Sequence, residues 1–144
     1  MPLSDNPTTP AAICLGGESD YVDIRLNEGY LAITAVGAPT GSCFYNGVLQ
    51  GFEQGWIRPG MPTLVDARQF RGNVDWAAML AISRITDWGK GGTVVAPVAY
   101  ITSDALFSLL VKAASTMFPD SRHRLFPDPE SARHWLIAQA VAQA

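Results

Sequence analysis

The stretch TLVDARQFRGNVD, residues 63–75, decides how the chain is read. A short apolar run, Leu64, Val65 and Ala67, surrounds Asp66, and a Gly-containing basic loop with Arg68, Arg71 and Asn73 leads into a helix. So short an apolar run reads as a strand buried on both faces, as in an α/β sheet covered by helices on each side. Loops that leave the carboxyl ends of such strands are where open α/β sheets place their function. The candidate binding residues are therefore Asp66, Arg68, Arg71, Asn73 and Trp76, the last opening the helix that follows.

Downstream, Asn73 or Asp75 caps a helix through Trp88 with Trp76, Met79, Leu80, Ile82 and Ile85 on one face and Gly89 at its end. Pro97 cannot donate to a central ladder, which puts the next strand at Val98–Thr102 with the proline at its entry. Ser103 caps a helix over 104–118 that is apolar around most of its circumference, a pattern of deep burial, self-association or an apolar ligand. Arg122–Phe126 is a last short strand. Asp128-Pro129-Glu130 combines a cap, a first-turn proline and an acid, and starts a helix with Ala132, Trp135, Leu136 and Ala140 on its buried stripe.

Upstream, Tyr21–Leu26 and Tyr30–Val36 form a β-hairpin around Asn27-Glu28-Gly29. Ser42 then caps a helix reaching about Trp56, with Phe44, Val48, Leu49, Phe52 and Trp56 at 3 or 4 residue spacing. Gly47, Gly51 and Gly55 repeat every four residues along it. Each costs about 1 kcal/mol against Ala, so the smooth ridge implies close packing on a neighbour. Residues 1–19, rich in Pro, Ser, Thr and Gly, read as a poorly ordered lead-in with at most one short edge segment at Ile13–Leu15, followed by a single domain over 20–144. The expected order is ββαβαβαβα, an α/β fold whose sheet is mixed and mostly parallel, with the hairpin antiparallel.

Composition narrows the function. A net charge of -3 argues against nucleic acid as a general partner, since phosphate contacts need a basic face. Cys14 and Cys43 have no paired spacing, and no metal-ligand cluster is present in the sequence, so free thiols in a reducing, cytoplasmic setting are expected. No signal peptide and no transmembrane segment is predicted. Catalytic and nucleotide-binding motifs are missing: there is no nucleophile elbow, P-loop or dinucleotide fingerprint, and Gly89–Gly92 follows a helix rather than a strand. No cofactor is implied. Asp66 reads as an ion-paired or loop-capping carboxylate, with general base as the alternative; Arg68, Arg71 and the amides beyond Asn73 read as a solvated loop or an anion site. His123 on the last strand points away from Arg122 and Arg124, and His134 takes a helix surface position.

The Leu-Val-Asp strand with its Arg-Gly loop and Trp-bearing helix, then VAYITSD, then SRHRLFPDPESARHWL, resembles the SpoIIAA-like family, relatives of the STAS domain, over about residues 20–138. The resemblance implies a STAS-like fold and a non-enzymatic regulatory or protein-interaction module, with a partner protein and a homodimer among its expected assemblies. The likeness of that group to lipid-carrying CRAL-TRIO domains implies an apolar small-molecule ligand as the alternative. In STAS proteins proper the loop after the third strand carries a phosphorylated Ser in an Asp-Ser-Ser-Gly context. Here that stretch is Asp66-Ala67-Arg68-Gln69-Phe70-Arg71-Gly72, and no Ser or Thr stands between Asp66 and Ile82, so that switch does not carry over. A hydrolase or transferase using Asp66 is the least expected reading.

Overall fold

The computed structural model describes residues 11–58, 60–72, 75, 77–78, 81–82, 96–102, 112 and 121–143. Six strands form one sheet in chain order: β1 (Ala12–Gly16), β2 (Tyr21–Asn27), β3 (Tyr30–Gly37), β4 (Thr63–Phe70), β5 (Ala96–Ile101) and β6 (Ser121–Phe126). β1, β2 and β3 pair antiparallel, and β3 through β6 pair parallel. Two helices are described in full, α1 (Gly41–Glu53) and α2 (Pro129–Gln143). The fold is thus the expected mixed, mostly parallel α/β sheet. The helices expected over 73–88 and 103–118 lie largely outside the described residues; Ala77, Ala78, Ala81, Ile82 and Lys112 are helical.

The N-terminal hairpin does not open the sheet. The edge segment allowed for in the lead-in is the strand β1, in register with β2 from Ala12↔Arg25 to Gly16↔Tyr21, and GGESD is the turn between them. Gly17 N–H donates to the Asp20 carbonyl at 2.8 Å, and Gly16 takes a φ of 124°, open to glycine at no steric cost. Ile13 is buried while Ala12 and Cys14 are exposed, the alternation of a half-buried strand.

Strand register sorts the side chains onto two faces. Val22, Ile24, Leu31 and Ile33 point to one face and form a core with Val48 and Ile57 of the α1 region and with Ile82. Tyr30, Leu64, Ala99 and Ile101 point to the other, where Ala132 and Leu136 of α2 cover them. The last helix starts as its sequence requires: Asp128 Oδ1 accepts the Ser131 N–H at 2.8 Å ahead of Pro129. That bond is the main cause of an Asp128 pKa below the usual carboxylate value.

α1 differs from expectation at both ends. Thr40, not Ser42, is the N-cap, and its side chain makes no capping bond, because Oγ1 lies 2.9 Å from Ser42 Oγ inside the first turn. The helix stops at Glu53 rather than near Trp56. Gly55 takes φ 85° and donates to the Phe52 carbonyl, while Trp56 N–H reaches the Gly51 carbonyl at 3.1 Å, a Schellman closure. Of the glycine ridge, Gly47 and Gly51 are contact residues and Gly55 is the cap. A Cβ on Gly47 would lie 2.6 Å from Ile24 Cδ1, and one on Gly51 would run into Ile57. β5 begins two residues earlier than expected and includes Pro97. Its pairing with β4 starts only at Val98, so the proline sits where β6 is its one described neighbour.

Candidate functional site

The carboxyl ends of β3 and β4 meet the loops that lead to α1 and to the helical residues 77–78. β4 is longer than a strand ending at Asp66 would be: it runs on to Phe70, and Asp66 lies in its middle. The expected basic loop is therefore largely strand. Register shows why the apolar run stops where it does. Thr34 pairs with Asp66 but Val36 pairs with Gln69, so Ala67 and Arg68 oppose Ala35 alone in a β-bulge. β5 leaves β4 at this row, its last partner there being Ile101 opposite Asp66.

Asp66 holds the bulge. Its Oδ1 accepts the Arg68 N–H at 3.2 Å and Nε at 3.0 Å, and its Oδ2 accepts Nη2 at 2.7 Å. The side chain of Asp66 is 22% exposed and that of Arg68 49%. The Arg68 hydrogen bond holds the Asp66 carboxyl below its ordinary pKa, and Asp66 in turn raises Arg68. A carboxylate so engaged is a poor general base, since proton uptake would break a bidentate charge-assisted contact.

Beyond the bulge the strand exits are stitched together. Arg71 N–H donates to the Gly37 carbonyl, and Phe70 sets its ring edge-on to Phe44 of α1, with centroids 6.3 Å apart. Asp75 Oδ1 accepts the Ala78 N–H at 3.0 Å, so of the two expected caps Asp75 is the one seen. The same carboxylate packs against Gly41, the first residue of α1, so closely that a Cβ there would overlap it. The positive ends of two helical segments thus meet an anion supplied by the chain itself.

Asp20 is a rim residue that the sequence reading passed over. Its Oδ1 accepts the Ala38 N–H at 2.7 Å and ties the β1–β2 turn to the loop before α1. Asp20 and the Ser19 carbonyl also pack on Gly37, which has φ 70°. The turn composition of GGESD was its signal, masked by an N-terminus that otherwise reads as lead-in.

The structure brings Asp66 and Arg68 together and leaves Arg71 exposed on the rim. Asn73 and Trp76 lie outside the described residues. His123 faces away from the two arginines: its Nδ1 lies 2.9 Å from Tyr100 Oη, the rings stack at 5.7 Å, and burial lowers its pKa to about 4. Burial also drives the Tyr100 hydroxyl upward. His134 is exposed on α2. Among the described residues no group of His, Cys, Asp and Glu is arranged to hold a metal ion, no disulfide forms, and no helix is long and apolar enough to cross a membrane. A mostly apolar hollow under the end of α1, lined by Leu31, Ile33, Val48, Phe52, Ile57, Arg58, Met61 and Thr63, has a volume of about 10 Å³. That is room for about one water molecule and far below the roughly 300 to 1,000 Å³ of small-molecule pockets.

The six-strand order, antiparallel over β1–β3 and parallel over β3–β6, is consistent with a SpoIIAA-like fold. Among solved structures, the chain is similar to an uncharacterized protein of the DUF3478 family with a SpoIIAA-like fold from Shewanella loihica PV-4, with TM-score 0.55 and 23% identity, over 93% of this chain and 98% of that one. No family model and no curated protein matches the chain.

Proposed function

We propose that this chain is a non-catalytic, STAS-like interaction module of the cytoplasm that presents the rim around Asp66–Asn73 to a protein partner. The observation that carries this reading is the commitment of Asp66 to Arg68 across the bulge. The acid in the middle of β4 is committed to shaping the rim, on which Arg71 is exposed. The Asp75 carboxylate at Gly41 and Ala78 supports the same reading, because it fills the place an anionic substrate would take at the helix starts.

The test is site-specific photo-crosslinking from position 71 in cells of the source organism, with position 28 on the β2–β3 turn as control. A discrete protein adduct from position 71, absent from position 28 and lost when Arg68 is also changed to Glu, supports the proposal. Identical adduct patterns from both positions would overturn it. So would turnover in a broad substrate screen that Asp66→Asn abolishes.

A further inference from the structure

The two faces of β1–β3 are finished differently. Register puts Ile13, Val22, Ile24, Leu31 and Ile33 on the α1 side, and each is buried. On the other side Ala12, Cys14 and Arg25 are exposed, and Asp23, Thr34 and Val36 are half-buried. α2 packs on that side over β4, β5 and β6. The helix layer is thus filled over one half of the sheet, while solvent reaches the side chains of the other half.

The solvent-facing half is one helix wide. Three strands at about 4.8 Å spacing measure about 10 Å between the outer two, close to the roughly 10 to 12 Å diameter of a helix with its side chains. Its centre is made of small residues, Ala12 and Cys14 on β1 with Ala32 and Thr34 on β3, over which a helix can come close. Its border is cationic. At one corner Arg25 is 63% exposed over Asp23 at 18%, and at the opposite corner Arg68 is 49% exposed over Asp66 at 22%. Asp23, Thr34 and Asp66 share one row, and the two arginines lie on opposite sides of it because β2 runs antiparallel to β3 and β4 parallel. On α2, Trp135 and Gln139 turn to Phe126 and Arg122 of β6, so exposed Arg133, about 200° round the helix from Trp135, borders the gap. None of these positions holds lysine or glutamate. Arginine without lysine or glutamate is the composition of a protein interface rather than of a solvated surface.

We propose that this half-sheet receives an acidic amphipathic helix of a partner protein, laid beside α2 and running diagonally from Arg25 to Arg68. Arg25 is level with Ala32 and Arg68 with Ala35, so two strand spacings across and three residues along separate their Cα atoms by about 14 Å. Each guanidinium leans back onto its own acid, which shortens the distance between the charges to about two helical turns. Two carboxylates seven residues apart on one stripe meet both, and the apolar residues between them lie over Ala32 and Thr34. Acids recessed beneath the arginines leave the outer layer positive, so charge selects the partner and the small centre lets it seat. A second copy is a poor occupant: α1 and α2 carry one acid each, Glu53 and Glu130, and bring no such stripe. The surface meets the Asp66–Asn73 rim at Arg68. It rests on that reading for a protein as the partner, and adds where the partner lies and what its contact segment is made of.

The test uses the full chain and a fluorescein-labelled helical peptide of Ala, Gln and Leu, with two glutamates seven residues apart and two leucines between them on the same stripe. Binding is read by anisotropy and by the rate of alkylation of Cys14, an exposed thiol on this face, in a Cys43→Ser background. One control peptide sets the glutamates five residues apart, on different helix faces, and another carries proline at its centre. The expected result is that the first peptide binds and slows Cys14 alkylation, both controls fail, and Arg25→Glu with Arg133→Glu weakens binding about tenfold or more. Circular dichroism confirms that the double variant is folded, and Arg25→Gln with Arg133→Gln gives a milder second reading. Equal binding of the three peptides, no binding of the first, unchanged Cys14 alkylation in the complex, or indifference to both double variants would each overturn the proposal. So would a dimer of the full chain in sedimentation that Thr34→Arg dissolves, since a second copy would then hold the face. All the substituted positions lie outside 66–73, so the cross-link from position 71 reports on the rim separately, and either reading can fail alone.

Discussion

α1 and α2 press on opposite faces of one sheet by opposite means. α1 comes in close, with Gly47 against Ile24 of β2 and Gly51 against Ile57 of its own exit segment, so its contacts depend on missing side chains. α2 docks instead through side chains, Ala132, Leu136 and half-buried Trp135. The α1 face of the sheet continues into a buried polar pair, Tyr100 with His123, whereas the cluster beneath α2 is made of apolar and aromatic side chains. The lesson is that the two faces should fail differently, one to added volume and acid, the other to lost volume.

The largest effect is expected under α2. Leu136 is 1% exposed, and Leu136→Ala removes buried methyls and leaves a cavity, for a loss of about 3 kcal/mol in denaturant unfolding. A loss below about 1 kcal/mol would mean that α2 is held mainly by its rim contacts, such as Arg122 to Gln139, and the contrast between faces would fall.

Acid should act on the α1 face. Burial places the His123 pKa near 4 in the fold against an ordinary 6.5, so the unfolded chain takes up the proton first. Stability contributed by neutral His123 is complete above about pH 6.5, declines as pH falls and levels off below about pH 4. Between about pH 7.5 and 5 the expected loss is about 2 kcal/mol, and His123→Gln should flatten that slope. A slope unchanged in the variant would assign the acid sensitivity elsewhere.

Added volume comes next. Gly51→Ala improves helix propensity by about 1 kcal/mol but forces Ile57, 4% exposed, out of its place, for an expected net loss of about 1 kcal/mol. Ser42→Ala, at a solvent-facing position of the same helix, should not destabilise the chain, and the pair of melting curves separates contact from propensity.

These effects mark how far the residues alone could be read. Periodicity found the Tyr21–Val36 hairpin, α1, β6 and α2, because each has a clean alternation, stripe or cap. Asp128-Pro129-Glu130 even located a helix start to the residue. β1 was legible only as a short edge segment at Ile13–Leu15, because five residues among prolines and glycines carry too little alternation to outweigh composition. The length of β4 was hidden because Arg68 and Gln69 look like loop residues. They are strand because the bulge lets the chain keep pairing with β3 after β5 has left. Of the candidate site, the Asp66–Arg68 pair was legible from its spacing, whereas Asp20 and the double role of Asp75 depend on contacts between distant turns.

The smallest predicted effect separates two identical motifs. Asp23-x-Arg25 and Asp66-x-Arg68 place acid and base two residues apart on one face, and both pairs close to 2.7 Å. On β2 the strand is regular and the acid meets only the Arg25 side chain, so the bond adds little to what the ladder already fixes. On β4 the acid also accepts a backbone N–H inside the bulge, a donor that the β3 ladder does not take up. Asp23→Asn should therefore leave the melting temperature unchanged. Asp66→Asn should cost about 0.5 to 1 kcal/mol, discounted for the partial exposure of the pair, and should quicken amide exchange at Arg68 and Arg71. Because the Asp66 pKa is lowered in the fold, its share of stability is present above the ordinary value of 3.8 and is lost as the pH falls through it, so the two variants should converge in strong acid. Equal effects at neutral pH would show that the bulge is held by its register alone, and the carboxylate of Asp66 would then be free for a role that the ion pair otherwise denies it.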